Sequence, residues 1–286
     1  AQCQVADVLL AYQPTGPNIS RLIQLMQQYP ETTFSALTDN PEALQQLEHQ
    51  LMQAKKQLNL FIDMDVGMHR TGIIPGAGAL DLKNHIVKSA NLEFRGWHVY
   101  DGHIRHSDFE QRKSEAQRAL QSAWDLFSDE PAEEIVAGGS PTFPVHALNS
   151  RFNLSPGTCL LWDQGYSKML PDQQFKVAAA LITRIISKPG PDLLCLDLGH
   201  KALASEMPHP RVYLPALESV DFVSHSEEHL VVRSPNAVDF KVGDVLYGIP
   251  MHICPTVALH QEMIVIENGI AVDRWQVYAR SRKIGV

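Results

Sequence analysis

The sequence predicts an α/β fold: a parallel sheet with crossover helices, followed by a mostly antiparallel β domain. Up to about residue 168, short apolar segments alternate with amphipathic segments, which is typical of βα units. Beyond that point, apolar segments of strand length follow one another between Pro, Gly, Asn and Asp turns, and no helix is predicted between them. We therefore predict two domains, residues 1–168 and 169–286.

The number of predicted βα units restricts the architectures that are possible for the first domain. Six units are predicted, with strands that begin near Asp7, Thr32, Leu58, Glu93, Glu134 and Thr158. A closed (β/α)₈ barrel of the TIM type needs eight strands. The sheet is therefore either open and doubly wound, or part of a barrel whose first units precede residue 1. The abrupt start, with residues 5–12 already resembling a buried strand, favours the barrel.

Composition restricts the class of partner. The 286 residues are 44% hydrophobic and 20% charged, with a formal net charge of −8, which is ordinary for a globular protein. No basic stretch offsets the acidic balance, so we expect neither a nucleic-acid nor a membrane partner, but a small molecule. With no apolar run of roughly 18 residues and no signal peptide, cytoplasm is the default compartment.

The stretch at residues 61–72 carries the densest set of polar groups. A strand beginning near Leu58 leads into a loop that contains Asp65, His69 and Arg70. Gly67 and Gly72 permit backbone conformations closed to other residues, so the loop can aim Arg70 at an anion or an electron-rich ring substituent. The alternative is a surface loop in which Arg70 pairs with Asp63 or Asp65.

Two further loops follow predicted parallel strands, so we expect them on the same edge of the sheet. Residues 100–103 place Tyr100 and His103 on a glycine turn, as a ring-nitrogen partner and an acid–base group, or as a core tyrosine and a surface histidine. The run Gly138-Gly139-Ser140-Pro141-Thr142 can bind a phosphate through backbone N–H groups, or is a plain turn.

The second domain contains a candidate metal pair. In an extended segment His252 and Cys254 would project to the same face, and a thiolate with an imidazole suits zinc best. Two protein ligands leave places for water or substrate, as in catalytic sites; the alternative is a cysteine beside a polar histidine. We expect His225 and His229 to form a solvated or structural cluster, and Lys201 a structural or rim role rather than a Schiff base.

Taken in order, these motifs resemble the D-threonine aldolase and D-serine dehydratase group of the alanine-racemase-like, fold-type III pyridoxal phosphate enzymes. The run Pro250-Met251-His252-Ile253-Cys254-Pro255 completes the set. The resemblance implies a (β/α)₈ barrel that holds the cofactor, a β domain that binds a divalent metal, and a homodimer. It assigns Arg70 to the phenolic oxygen, Tyr100 to the pyridine nitrogen, Gly139, Ser140, Thr142, Asp163 and Gln164 to the phosphate, and His252 and Cys254 to the metal.

The activity implied is a lyase that uses pyridoxal phosphate and zinc, manganese or magnesium on D-3-hydroxy amino acids. Aldol cleavage to glycine and an aldehyde is the leading interpretation, with His103 as hypothetical general base. Dehydration to a keto acid and ammonia is the alternative. A non-catalytic cofactor-binding protein is a further alternative, because the family's Schiff-base lysine on the first barrel strand has no match here. An amino-acid racemase, which needs no metal, is another. We expect that lysine, with the first strands, to precede residue 1.

Overall fold

The computed structural model describes residues 3–127 and 133–281. These residues divide into two compact units, one ending at Gly157 and the other beginning at Thr158. A domain boundary at residue 168 stays a prediction. No helix among the described residues is long and apolar enough to cross a membrane.

The first unit is a six-stranded parallel sheet with helices between the strands. The strands are β1 (Asp7–Leu10), β2 (Thr33–Thr38), β3 (Leu58–Met64), β4 (Leu92–Val99), β5 (Glu134–Ala137) and β6 (Phe152–Leu154). The helices are α1 (Pro17–Gln28), α2 (Pro41–Ala54), α3 (Ala77–Lys88), α4 (Phe109–Trp124) and the short α5 (Phe143–His146).

Strand order excludes the doubly wound alternative. The strands lie in the order β1-β2-β3-β4-β5-β6, and every neighbouring pair is parallel. Because such crossovers are right-handed, an order without reversal places all the helices on one face. Leu60 and Ile62 of β3 accordingly share a core with Leu44 of α2 and Ile86 of α3. This is the barrel type of βα arrangement, so that prediction is confirmed.

A salt-bridge network across the opposite face shows that the sheet curls. The Arg95 guanidinium in β4 donates to Asp7 in β1 at 2.5 Å and to Glu134 in β5 at 2.6 Å. In a flat sheet β1 and β4 would lie about 14 Å apart, at ~4.8 Å per strand, with side chains roughly perpendicular to the sheet. Arg95 can reach Asp7 only because the face that carries both residues is concave.

The sixth strand differs from the prediction. The sequence predicts it near residues 158–162, where an apolar run occurs, but Thr158–Leu160 forms a 3₁₀ helix and β6 is Phe152–Leu154. Its register pairs Phe152 with Ile135 of β5. With only three residues, β6 is too short to show an alternating pattern, whereas the apolar run at 159–162 imitates one.

The second unit contains an antiparallel sheet in the order β10-β11-β8-β7-β12-β9 and a separate hairpin, β13-β14, so the predicted β domain is confirmed. Its strands are β7 (Leu181–Gly190), β8 (Leu193–Leu196), β9 (Val212–Tyr213), β10 (Asp221–His225), β11 (Leu230–Arg233), β12 (Val245–Pro250), β13 (Glu262–Glu267) and β14 (Ile270–Gln276). Two helices, α6 (Gln164–Met169) and α7 (Ile253–Leu259), accompany them. The prediction that no helix follows residue 168 is therefore wrong for α7.

Replacing Gly96 in β4 should destabilise the first unit. Gly96 has φ +154° where the register between β3 and β4 shifts, and an added Cβ would lie 1.9 Å from the carbonyl oxygen of Glu134. We expect Gly96→Ala to lower the free energy of unfolding by about 2–4 kcal/mol, measured by urea denaturation. Gly157→Ala is the matched control, because nothing lies within 4 Å of its added Cβ; equal stability of the two variants would contradict the prediction.

Candidate active site

Hydrogen bonds between its two ends close the loop after β3, which runs from Asp63 to Ile73. At its base the Asp65 amide donates to the Ile73 carbonyl and the Ile73 amide to the Asp63 carbonyl, at 3.0 and 2.9 Å. Inside it, the Asp65 carboxylate accepts from the amides of Gly67 and His69, at 2.9 and 3.0 Å, and from His69 Nδ1 at 2.7 Å. Burial alone would raise the pKa of Asp65, but these hydrogen bonds outweigh it and lower that pKa.

Both glycines of this loop adopt conformations that other residues rarely adopt, as predicted. Gly67 has φ +112° and Gly72 has φ +102°. An added Cβ at Gly72 would lie 2.5 Å from the Asp65 amide nitrogen, so Gly72 also permits the close approach of the two chain segments.

Arg70 projects from this loop over the ring of Tyr100. Its guanidinium carbon lies 4.6 Å from the ring centroid, a cation–π distance. The alternative ion pair with Asp63 or Asp65 does not form, because those carboxylates bind His98 and His69. Within residues 3–127 and 133–281 no carboxylate lies within ion-pair distance of Arg70. The guanidinium donors are thus left for another group.

The ring of Tyr100 packs between two glycines that belong to different loops. A Cβ added to Gly102 would lie 2.5 Å from this ring, and one added to Gly139 would lie 2.8 Å from it. An added Cβ at Gly67 would lie 3.3 Å from Nε2 of the exposed His103. The loops after β3, β4 and β5 therefore meet at one edge of the sheet, as predicted from the parallel strands.

A buried carboxylate that the sequence analysis did not single out holds the third loop. Asp101 accepts from Thr142 Oγ1 at 2.5 Å and from His146 Nε2 at 2.7 Å. The Thr142 oxygen in turn accepts from the Gly139 amide at 3.3 Å. Thr142 is fully buried and its hydroxyl donates to Asp101, so in this structure it holds the loop in place. Ser140 is also buried.

A second polar network, also not predicted, links the ends of β1 to β4. The Gln13 amide donates to Asp39 at 3.0 Å and to Asp63 at 2.8 Å. His98 Nδ1 lies 2.6 Å from the other Asp63 oxygen, and the Gly72 amide donates to Asp39 at 2.8 Å. The network anchors the base of the Arg70 loop to neighbouring strand ends. Its members come from four separate βα units, so no local motif marks them.

In the second unit the buried Asp163 caps two helices. One carboxylate oxygen accepts from the Tyr166 amide at 2.8 Å, in the first turn of α6, and the other from the Ile253 amide at 3.0 Å, where α7 begins. Burial raises the pKa of Asp163, against the opposing effect of these N–H donors. Gln164 is the first residue of α6 and is half-buried.

His252 and Cys254 do not lie on an extended segment, so that part of the prediction is wrong. Helix α7 begins at Ile253, His252 directly precedes it, and Cys254 lies in its first turn. The turn forms because Asp163 caps it and because Thr256 Oγ1 donates to the His252 carbonyl at 2.8 Å.

The two side chains nevertheless meet. A hydrogen bond with Cys254 raises the pKa of His252 to about 9, and the same bond lowers the pKa of the Cys254 thiol. Glu206 lies 2.6 Å from His252 Nδ1.

This pair has the chemistry of an open metal site. A thiolate and an imidazole are ligands that zinc prefers, and a carboxylate on the second ring nitrogen is the usual support of a metal-bound histidine. Among the described residues there is no group of three or more His, Cys, Asp or Glu that could hold a metal ion. The donor set fits a metal only if water or substrate completes the coordination.

His225 belongs to a structural cluster, but with His200 and His209 rather than His229. The His200 ring lies 4.3 Å from that of His225, and His209 lies 5.6 Å from it. Arg211 donates to His225 Nδ1 at 2.9 Å, so that nitrogen carries no proton, and Nε2 donates to the Leu198 carbonyl. Burial, His200 and Arg211 lower the pKa of His225 to about 4.

Lys201 pairs with Glu227 and Glu228 on the surface, at 3.2 and 2.6 Å. Its amine is thus engaged in salt bridges, in keeping with the expected structural role.

Comparisons with known proteins define the class of this chain. Residues 20–163, half of the chain, match the family described as "Alanine racemase, N-terminal domain", and residues 178–266 match the one described as "Putative serine dehydratase domain". The chain therefore belongs to the alanine racemase N-terminal domain family. The resemblance inferred from the motifs is confirmed.

Individual proteins to which the chain is similar carry more specific descriptions than the family. The chain is 26% identical to a D-threonine aldolase of Arthrobacter sp., over 96% of this chain and 74% of the relative. It is 28% identical to a 3-hydroxy-D-aspartate aldolase of Paracoccus denitrificans (strain Pd 1222), over 97% and 74%. The crystal structure of D-threonine aldolase from Filomicrobium marinum matches with a TM-score of 0.86 at 22% identity, over 98% of this chain and 77% of that one. This likeness confirms the fold.

The His225 cluster should make stability depend on pH. The pKa of His225 is about 4 in the folded chain and ~6.5 when unfolded, so between these values the unfolded state binds more protons. The contribution of His225 to the free energy of unfolding should be fully present above pH 6.5 and be lost as the pH drops towards 4. Because the ring is partly exposed and screened by solvent, we expect a loss of about 1–2 kcal/mol. Urea midpoints between pH 7 and 4.5 measure this. His225→Gln should flatten the dependence, whereas His229→Gln should not; identical curves for all three proteins would contradict it.

Proposed function

We propose that the chain is a pyridoxal-phosphate- and metal-dependent lyase that cleaves D-3-hydroxy amino acids to glycine and an aldehyde, as a D-threonine aldolase does. The observation that carries the proposal is the alignment over nearly the whole chain with two aldolases of this class, which includes the Arg70, Tyr100 and Gly139 loops and the His252–Cys254 pair. We propose a homodimer on the strength of the family resemblance, and the cytoplasm as the default compartment.

The barrel loops offer groups suited to pyridoxal phosphate. Arg70 presents guanidinium donors suited to the phenolic oxygen, and Tyr100 is the proposed partner of the pyridine nitrogen. We assign the phosphate to Gly139, Ser140 and Thr142, with Asp163 and Gln164. An added Cβ at Gly138 or Gly139 would press on His146 or Tyr100, so this loop requires glycine at both positions. No stretch of the 286 residues matches the family's motif around the Schiff-base lysine.

His252 and Cys254 are the proposed ligands of a divalent metal, zinc first and manganese or magnesium second. When bound, pyridoxal phosphate accepts the electron pair left at Cα, and the metal polarises the β-hydroxyl of the substrate.

The chain's own part in the cleavage is to move a proton. His103 is exposed beside Gly67, and we assign its imidazole to accept the β-hydroxyl proton as the Cα–Cβ bond breaks. The hydrogen bonds within the loop of residues 63–73 keep Arg70 in place. The close packing of Gly102 and Gly139 against the ring of Tyr100 fixes the position of its phenol.

Dehydration is the second candidate, because one observation favours it. The family match described as a serine dehydratase domain covers residues 178–266, which include His252 and Cys254. In that reaction the proton leaves Cα and the hydroxyl departs with help from the metal, which yields a keto acid and ammonia.

Product analysis separates these activities. With D-threonine, pyridoxal phosphate and Mn²⁺ or Zn²⁺, we expect the full-length protein to release glycine and acetaldehyde, and EDTA to abolish the release. Release of a keto acid with ammonia would instead identify the protein as a dehydratase. Interconversion of enantiomers that persists in EDTA would indicate a racemase, and no turnover of D-threonine or D-serine a non-catalytic protein.

The assignment of His103 is tested by replacing it. His103→Ala should lower kcat for aldol cleavage by about 10²–10⁴-fold, because the proton acceptor is lost. The control is His49→Ala, on the exposed side of α2, where the histidine contacts Gln53. Full turnover by His103→Ala would exclude this base.

A further inference from the structure

Glu206, on the segment between β8 and β9, lies beside the proposed metal pair. Its Oε1 is 2.6 Å from His252 Nδ1. A carboxylate accepts and does not donate, so Nδ1 carries a hydrogen, and Nε2, on the opposite edge of the ring, is the nitrogen that is left for a metal to bind once its own proton is displaced.

The contact lies between two segments that are fixed to one another. Thr256 Oγ1 donates to the His252 carbonyl at 2.8 Å and accepts from the Ala204 amide at 3.4 Å, and Thr256 is buried. On the other side of Glu206, the Met251 amide donates to the Arg211 carbonyl at 2.8 Å. Both sides of the 204–211 segment are thus tied to the residues around His252.

We infer that Glu206 is a positioning residue, which holds the His252 imidazole in the tautomer and orientation that present Nε2 to the metal. This inference rests on the proposed metal-binding role of His252 and Cys254. Glu206 occupies the Nδ1 edge of the ring, away from the coordinating nitrogen, so it acts through His252. Such outer carboxylates commonly contribute roughly 10–100-fold to metal affinity.

Metal titration of the purified chain tests this without any need for turnover. Zn²⁺ affinity would be measured by competition with a chromophoric chelator for the wild type, Glu206→Ala and Glu206→Gln. We expect Glu206→Ala to bind Zn²⁺ roughly 10–100-fold more weakly. Glu206→Gln should lose less, since its amide oxygen still accepts a hydrogen bond. Glu228→Gln is the control, an exposed glutamate of the same unit that pairs with Lys201.

Two spectroscopic readouts separate positioning from a general loss of structure. The thiolate-to-Co²⁺ charge-transfer band should persist in Glu206→Ala, because Cys254 is intact. In the Zn²⁺-loaded protein, ¹⁵N NMR of His252 should show a protonated Nδ1 and a metal-bound Nε2 in the wild type, and a mixture of the two tautomers in Glu206→Ala.

Equal Zn²⁺ affinity of Glu206→Ala and wild type, or an unchanged tautomer, would overturn the inference while leaving the metal site intact. A wild-type chain that binds neither Zn²⁺ nor Co²⁺ would overturn the metal site and the inference together.

Discussion

The concave, unreversed parallel sheet is the constraint on which the first unit depends. Because every crossover has the same hand and the strand order follows the chain order, the helices cover one face and the loops after β3, β4 and β5 meet at one edge. Arg70, Tyr100 and Gly139 lie on three different loops, yet the guanidinium, the phenol ring and the glycine backbone are in contact. The Arg95 network on the concave face joins β1, β4 and β5, and stabilises the curvature that this meeting requires.

In both units, buried carboxylates hold neighbouring loops and helix ends in fixed positions. Asp101 gathers Thr142 and His146, and Asp163 gathers the first turns of α6 and α7. An unpaired buried carboxylate is costly, so each is surrounded by donors that satisfy both oxygens, and those donors then have little freedom to move. Two groups proposed to contact cofactor or metal are held by these carboxylates: Thr142 donates to Asp101, and His252 directly precedes the turn that Asp163 caps. Stiff support beneath exposed functional groups reduces the entropy lost when a ligand binds.

Local patterns made much of this structure predictable. Apolar runs gave five of the six parallel strands, and Gly67 and Gly72 pointed to the loop that carries Arg70. The failures have physical causes. Thr158–Leu160 and α7 are short, so that too few residues exist to display a period, and their form depends on tertiary caps such as Asp163. The pairing of Asp101 with His146 joins residues 45 positions apart, and that of Gln13 with Asp63 joins residues 50 apart, so neither leaves a spacing to recognise.

The loop between Asp63 and Ile73 has a consequence for how this fold can diversify. Its closing bonds come from backbone atoms at its base, from the Asp65 carboxylate and from the Asp39 contact to Gly72. The side chains of Met68 and Thr71 contribute neither to these bonds nor to the buried core of the sheet. Substitutions at these positions can therefore change the surroundings of Arg70 with little effect on the free energy of unfolding. Proteins of one architecture can in this way acquire different substrate preferences without rebuilding the sheet beneath.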